Sequence, residues 1–404
     1  MGAYLLGVVL FALGIAVTIA LHECGHLLAA RAFSMPVRRY FIGFGPTLVS
    51  TRRGGTEYGI AAFPFGGFCE IAGMTINDPV TIDEAPHAMV RKPWWQRVVV
   101  LLGGIAMNLL LGVSILYAVA VTSGIPNPDA DFTPTVGEIT CTADQLPATG
   151  ELATCSGVGA AGRAGIEAGD RILAIDDARL GSFAELANYV AERPGQTVTM
   201  TVERDGTRRE IPVVVDEVTR YTADGEARTM GAVGVVSQPV TDAYRRFGPV
   251  EAVPAVLRYS GQVLSATVEG VVSLPAKIPG LIGAIVGQER AQDSPMSVVG
   301  ASMIGGELVE RSIWDGFWMM LASLNFFLAL FNLVPVPPLD GGHIAVVLYE
   351  KLRDGARRLR GKAPRGPVNY EKLTPVTIGA AAVLMAFGAL VLVADVVNPV
   401  SLTG

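Results

Sequence analysis

Charge is the first thing this chain lacks. Only 17% of its 404 residues are Asp, Glu, Lys or Arg while 50% are hydrophobic, against about 25% charged in ordinary soluble domains. Length alone would accommodate two or three soluble domains, but the shortage of charge indicates a polytopic membrane protein carrying additional soluble mass. Disorder and a collagen-like repeat are excluded by the same composition. Cysteine is also scarce, and four in the whole chain cannot build a disulfide scaffold. No large charge of either sign is present: 31 basic and 37 acidic residues leave a net −6. Such a balance offers no basic field to hold a polyanion, so no nucleic acid partner is expected.

What is there is length of apolar run. A hydrocarbon core about 30 Å thick needs about 20 apolar helical residues, and four charge-free stretches meet that requirement. Ala3 to Leu21 runs on through His22, Glu23 and His26 to Ala30; Val98 to Val121, Phe317 to Leu339 and Leu373 to Ala394 are the others. Ala16-Val-Thr-Ile-Ala20 resembles a signal-peptidase site, but no Lys or Arg precedes the first run and the run is too long for a signal-peptide core, so it is read as retained.

Lys and Arg beside the spans set orientation. Segments 31–97 and 350–372 hold 16 of the 31 basic residues, whereas 1–21 and 395–404 hold none. Both basic loops are therefore expected in the cytoplasm, with both termini and residues 124–315 outside. Cys141 and Cys155 then share an oxidising compartment, and a Cys141–Cys155 disulfide is expected, while Cys24 and Cys69 stay reduced.

At the inner end of the first span the chain reads His22-Glu23-Cys24-Gly25-His26. On a helix the two His lie one turn apart on one face, so both imidazoles can reach one Zn²⁺ while Glu23 addresses its water. Ionisable groups inside an apolar helix are costly unless partnered and mark functional sites by default. Catalytic zinc takes three protein ligands and one open position. The chain has four His, and His87 lies in a charged loop, so the third ligand is His343 or a carboxylate. Asn332-Leu-Val-Pro-Val-Pro-Pro338-Leu339-Asp340-Gly341-Gly342-His343 follows the third span. Its prolines break the helix and its glycines allow a sharp turn, leaving Asp340 on irregular backbone at membrane depth.

The two motifs together, H-E-x-x-H in the first span and Asn-Leu-x-Pro-x-Pro-x-Leu-Asp-Gly in a later one, resemble the site-2 protease family of intramembrane zinc metalloproteases. Within it the chain is most similar to the bacterial regulator-of-sigma-E protease type, and its Ala/Val/Arg-rich composition is similar to that of actinobacterial members. The resemblance implies four transmembrane helices, a membrane-associated β-hairpin region and an inserted extracytoplasmic β-rich PDZ domain. It makes His22, His26 and Asp340 the ligands of Zn²⁺ and Glu23 the general base, and it implies that His343 is not a ligand. Gly104 in Gly103-Gly-Ile-Ala-Met-Asn108 permits close helix approach, and Asn108 is expected to contact the substrate backbone or the oxyanion. Asn325 and Asn332 are similar to family positions near substrate. Gly43-Phe44-Gly45, within a Gly-punctuated β-rich run over 38–74, matches the family's hairpin motif beside the active site. An unwound substrate adding to that strand edge would recover the hydrogen bonds it loses.

Outside, Gly162-Arg-Ala-Gly165-Ile-Glu-Ala-Gly169-Asp170-Arg-Ile-Leu-Ala-Ile175 resembles a bacterial PDZ signature. A helix near 182–192 and strands over 197–204 and 208–215 are expected to follow. Residues 250–272 and 274–286 mix apolar runs with charge, Pro and Gly and are read as helices lying on the outer membrane surface. The expected order is thus span one over 1–31, hairpin loop 32–96, span two 97–123, PDZ domain 124–240, surface helices 241–313, span three 314–343, basic loop 344–372 and span four 373–397. The expected activity is regulated intramembrane proteolysis of single-span membrane proteins, anti-sigma factors or remnant signal peptides, with the lipid bilayer and a peptide or regulatory partner of the PDZ domain as other partners. A metal transporter using the same ligands would show a paired repeat of broken helices, and the four dissimilar spans contain none.

Overall fold

The computed structural model describes residues 2–147, 151–221, 226–288 and 290–400, with backbone only at 64 and 65. Helix α1 (Gly2–Ala32) leads into strands β1 (Val37–Arg53) and β2 (Thr56–Ile71), then α2 (Trp94–Thr122), short helices α3 (Ala160–Arg163) and α4 (Phe183–Ala191), and a closing series α5 (Pro249–Ile285), α6 (Val298–Glu310), α7 (Trp314–Asn332), α8 (Asp340–Leu359) and α9 (Thr374–Val397). Two compact units result, one formed by 1–125 with 246–404 and the other by 126–245.

In the first unit, α1, α2, α5, α7 and α9 are long and apolar enough to cross a membrane among the described residues, one more than the four spans expected. The addition is α5. Residues 250–272 and 274–286 are a single 37-residue helix running through Pro254, Pro275 and Pro279. The last two prolines are four residues apart, so the two missing backbone donors fall on one face and the opposite face keeps its hydrogen bonds. The third apolar stretch, by contrast, stops being helical at Asn332, and helix resumes at Asp340. Much of the expected basic loop 344–372 therefore belongs to α8, whose Val347 and Ile344 pack into the core, as does Glu350, which is paired with Arg97.

Small residues set the helix packing, as they must where no hydrophobic effect drives helices together. Gly305 and Gly306 of α6 lie against Phe11, Tyr4 and Gly7 of α1. Helices α1 and α7 run parallel: the Phe11 and Phe317 rings meet edge to face at 5.4 Å, and Asn325 Nδ2 donates to Thr18 Oγ1 at 3.2 Å. Helix α2 runs antiparallel to both, with Gly112 against Phe326 and Gly103 against Gly25. The far end of α9 is fastened by a buried ion pair, Arg290 to Asp395 at 2.7 Å.

Strands β1 and β2 double back on each other. Residues 39–42 pair antiparallel with 70–67 on one side and, running in the same direction, with 57–60 on the other; 49–53 then pair antiparallel with 60–56. Two strands thus supply four rows, in the order 67–71, 37–42, 56–60, 49–53. Gly43 and Gly45 both have φ of +89°, a region that only Gly enters without strain, and they let β1 turn out of its first row.

The second unit holds a four-stranded antiparallel sheet in the order 178–179, 171–175, 197–204, 207–214. Its core includes Ile172, Ile175, Val198, Met200, Val202 and Val213 with Leu186 and Val190 of α4. Ser182 caps α4, its side chain accepting from the Glu185 N–H. Cys141 and Cys155 are bonded, their Cα atoms 5.9 Å apart, a spacing within the ordinary disulfide range. The Gly165–Gly169 turn is locked by Asp170, which accepts from the Glu167 N–H and from Nε and Nη2 of Arg204, the last two at 2.7 Å. Burial raises the carboxyl's pKa, but the Arg204 bonds outweigh it and hold Asp170 below its ordinary value.

A depressed folded-state pKa stabilises above the unfolded value and ceases to do so as pH falls through the folded one. Asp170→Asn is therefore expected to lower the melting temperature of the detergent-solubilised protein at pH 7. The gap to wild type should shrink once pH drops below about 4. Calorimetric scans of both proteins across that range check it; a gap independent of pH would mean that the carboxylate charge is not what stabilises the turn.

Candidate metal centre

Three side chains from the two ends of the chain converge where α1, α2 and α8 meet. His22 Nε2 lies 3.3 Å from His26 Nε2 and 3.2 Å from Asp340 Oδ2, and His26 Nε2 lies 3.4 Å from the same oxygen. Among the described residues these are the one group of three or more His, Cys, Asp or Glu able to hold a metal ion. The spacing agrees with a metal sphere, since ligands about 2.0–2.1 Å from a tetrahedral ion are about 3.3 Å apart.

The hydrogen-bond pattern makes the same point. His26 Nδ1 is 2.8 Å from the Val100 carbonyl, which can only accept, so Nδ1 carries the proton. In the neutral ring that leaves Nε2 a bare lone pair facing the cluster, the second-shell arrangement usual for a metal-ligating imidazole. His22 Nδ1 and Asp340 Oδ2 are buried and meet no hydrogen-bond geometry among the described residues. Of the two, only Asp340 Oδ2 belongs to the cluster, and an acceptor within 3.2–3.4 Å of two imidazole nitrogens, unsatisfied in an apolar interior, is tolerable when a cation sits between them.

Glycine makes room for the group. A Cβ on Gly25 would overlap the Gly103 carbonyl, and one on Gly104 would overlap His26 Nε2 and lie 2.7 Å from His22 Nε2. The α1–α2 crossing is therefore backbone on backbone, and the two imidazoles occupy the space that Gly104 leaves. Asp340 opens α8 directly after the 333–339 turn, and Gly341 and Gly342 let that helix start flush against the Leu333 carbonyl and Pro337.

Glu23, between the two His, is half-buried and accepts from the Cys69 N–H, while its Cγ lies against Gly67. The 67–71 row thus faces α1, and Tyr40 in the next row donates to the Ala20 carbonyl at 2.6 Å. Asn108 is one turn beyond Gly104 on the same face of α2, buried, with Oδ1 lacking a partner among the described residues. Asn325 is fully buried but spends its amide on Thr18 and the Leu321 carbonyl, which holds α7 to α1; its Oδ1 has no partner among the described residues. Asn332 ends α7, half-buried. Gly43, Phe44 and Gly45 form the bend of β1, where Phe44 is exposed and stacks on Phe68. His343 stands apart from the cluster with its ring stacked on Tyr370.

The sequence did not point to Val100, Cys69, Thr18 or Tyr40. Two of these act through backbone atoms, which carry no residue signature, and the other two are ordinary residues in their elements.

A helical membrane-type protein with H-E-x-x-H on one helix and a converging carboxylate on another has the constitution of a metallopeptidase. A family model described as Peptidase family M50 matches residues 10–364, and the chain belongs to that family. It is 46% identical over 403 residues to the zinc metalloprotease Rip1 of Mycolicibacterium smegmatis, covering 98% of each chain. It is also 42% identical to the Rip1 of Mycobacterium tuberculosis, covering 99% of each, and 30% identical to the metalloprotease MmpA of Caulobacter vibrioides over 84% of this chain and 85% of that one.

Gly104→Ala places a methyl group on both ligand nitrogens, and it is expected to lower metal affinity by about tenfold or more, the scale of second-shell losses at metal sites. Metal content of the purified protein, measured against Gly388→Ala on α9, where a Cβ meets nothing within 4 Å, checks this. Equal metal in the two variants would contradict the crowding.

Proposed function

We propose that the protein is an intramembrane zinc metalloprotease that cleaves peptide bonds within or near the transmembrane segments of single-span membrane proteins, with anti-sigma factors and remnant signal peptides as the substrate classes. The carrying observation is the convergence of His22, His26 and Asp340 at 3.2–3.4 Å with their ligand atoms facing one another. These residues would hold the zinc, whose contribution when bound is Lewis acidity toward a peptide carbonyl and a water. Glu23, held by the Cys69 N–H, takes the proton of the attacking water and returns it to the leaving amine. Asn108, with an uncommitted oxygen and the same helix face as Gly104, supplies an amide to the substrate backbone or the developing oxyanion.

A substrate helix must unwind before a carbonyl can be attacked, because its amides are otherwise satisfied internally. The outermost row, 67–71, supports the reading that the unwound segment adds as a strand: it is an edge of the sheet and lies beside α1 at Glu23. Gly43, Phe44 and Gly45 shape the bend of the same sheet, and Asn332 lies at the end of α7 that leads to Asp340. Asn325 serves more as a tie between α1 and α7 than as a substrate contact.

Four spans remain the reading best supported, with α5 on the outer surface. Helices α1 and α7 run parallel and α2 antiparallel, so α2 ends and α7 begins on the same side. The intervening chain must cross an even number of times, and α6, with 13 residues, extends about 20 Å, short of a bilayer core. A single crossing by α5 would reverse α7. With the basic segments 31–97 and 350–372 placed in the cytoplasm, the second unit is extracytoplasmic, and its signature turn, α4 and four-stranded sheet fit a PDZ domain that captures a peptide or regulatory partner.

Purified in detergent with a tagged single-span peptide, Glu23→Gln is expected to cut at least about 100-fold more slowly while retaining zinc, and Asp340→Asn to lose zinc as well. Cleavage by Glu23→Gln at the wild-type rate would end the proposal; zinc passage into liposomes without cleavage by either protein would favour transport. Alkylation of the denatured, unreduced protein is expected to modify Cys24 and Cys69 alone, and prior reduction to add Cys141 and Cys155. Four modified cysteines without reduction would rule out the bridge and the oxidising compartment it implies.

A further inference from the structure

Between the start of α2 and the body of α8 lies a cavity of about 340 Å³ that the proteolytic reading does not use. Its lining includes Lys92, Trp94, Arg97, Lys351 and Arg358 beside apolar Val90 and Val347. The acidic residues on its wall are already engaged. Glu350 accepts from Arg97 at 2.6 Å and from the Val368 N–H at 2.7 Å. Asp354 accepts from Arg353 at 2.9 Å and from the N–H groups of Arg365 and Gly366. The cations are not all engaged. Arg97 has a side chain only 6% exposed, and its Nε lacks a partner among the described residues. Lys92 gives one donor to the Phe33 carbonyl and keeps two. Lys351 sits 5.7 Å from the Trp94 ring centre, and Arg358 is exposed with no carboxylate partner among the described residues. Lys92, Lys351 and Arg358 thus bring spare ammonium and guanidinium donors to a cavity that Arg97 also lines, and such a cluster is a receptor for an oxyanion.

The depth of the cavity says which oxyanion. Trp94 and Trp95, both partly exposed, start the apolar helix α2, and Trp at the end of a span marks the headgroup level of a bilayer. An anion at that level is a lipid phosphate, and Val90 and Val347 offer the same pocket an apolar wall for the glycerol part. We propose that this cavity binds the phosphate of an anionic phospholipid in the leaflet that faces this end of α2. The site bears on the metal centre through two short connections. Arg97 lies one turn before Val100, whose carbonyl orients His26, and its partner Glu350 is on the helix that Asp340 begins. A headgroup on Arg97 therefore braces the two helices that carry these groups.

The test is retention of lipid by the full chain, which does not depend on whether the protein cleaves anything. Wild type, Lys351→Gln/Arg358→Gln, and Arg360→Gln/Lys362→Gln, which removes the same charge from exposed positions outside the cavity, are purified in micelles doped equally with phosphatidylglycerol and phosphatidylcholine. Bound lipid is counted by native mass spectrometry and zinc content is measured in parallel. Wild type and the second double variant are expected to retain phosphatidylglycerol over phosphatidylcholine by about tenfold, and the cavity variant to lose most of that preference. Arg358→Glu alone, at an exposed position, should lose it too, which covers the case of a double variant whose zinc content shows that it has not folded. Equal loss in both double variants would reduce the effect to general surface charge, and equal retention of both lipids in wild type would remove the site. Displacement of the lipid by millimolar inorganic phosphate would assign the cavity to free phosphate instead and overturn the lipid proposal.

Discussion

The centre depends on one contact, the meeting of Gly25 with Gly103 backbone to backbone. Any side chain at either position would hold α1 and α2 apart, and in a bilayer no hydrophobic effect would force them together again. With the contact made, Val100 comes within 2.8 Å of His26, and the imidazoles fill the gap at Gly104. The same approach sets the spacing of the candidate ligands and the tautomer of His26. Asp340 needs a second such contact, Gly341 against the Leu333 carbonyl, to reach the same spot.

Most of the centre was legible beforehand because its chemistry is expensive where it stands. A His-Glu pair and a second His within an otherwise charge-free apolar run have few explanations, and Pro335, Pro337 and Pro338 mark where α7 must stop. The third ligand was harder. Spacing alone left His343 and a carboxylate open, and only the resemblance to a family chose Asp340, a choice the convergence of the three side chains supports. His343 is three residues further along α8 and stacks on Tyr370 instead.

The misreadings have physical causes. Three prolines and scattered charge made 250–286 look like two pieces, yet a helix loses only one donor at each proline and keeps the rest of its ladder, so α5 is continuous. The basic segment 344–372 looked like a loop because charge dominates its composition, although Ile344 and Val347 are spaced for a helix face. In the sheet region, Gly-punctuated β runs signalled strands but not their pairing. That 39–42 would be flanked on both sides by parts of one strand follows from bends at Gly43 and Gly45 whose direction no residue type encodes. Backbone donors and acceptors such as Cys69 N–H and the Val100 carbonyl are invisible to sequence for the same reason.

The three candidate ligands are drawn from both ends of the chain: His22 and His26 from the first helix, Asp340 from the eighth. A ribosome delivers them in that order, with the second unit and α7 emerging in between. Until Asp340 is in place the nascent chain has two histidines and a glutamate but no complete ion site. Its power to hydrolyse peptide bonds arises only after nearly the whole molecule has been inserted and packed. The membrane in which it is built is full of other proteins, and the late arrival of one carboxylate keeps them out of reach of a half-finished enzyme.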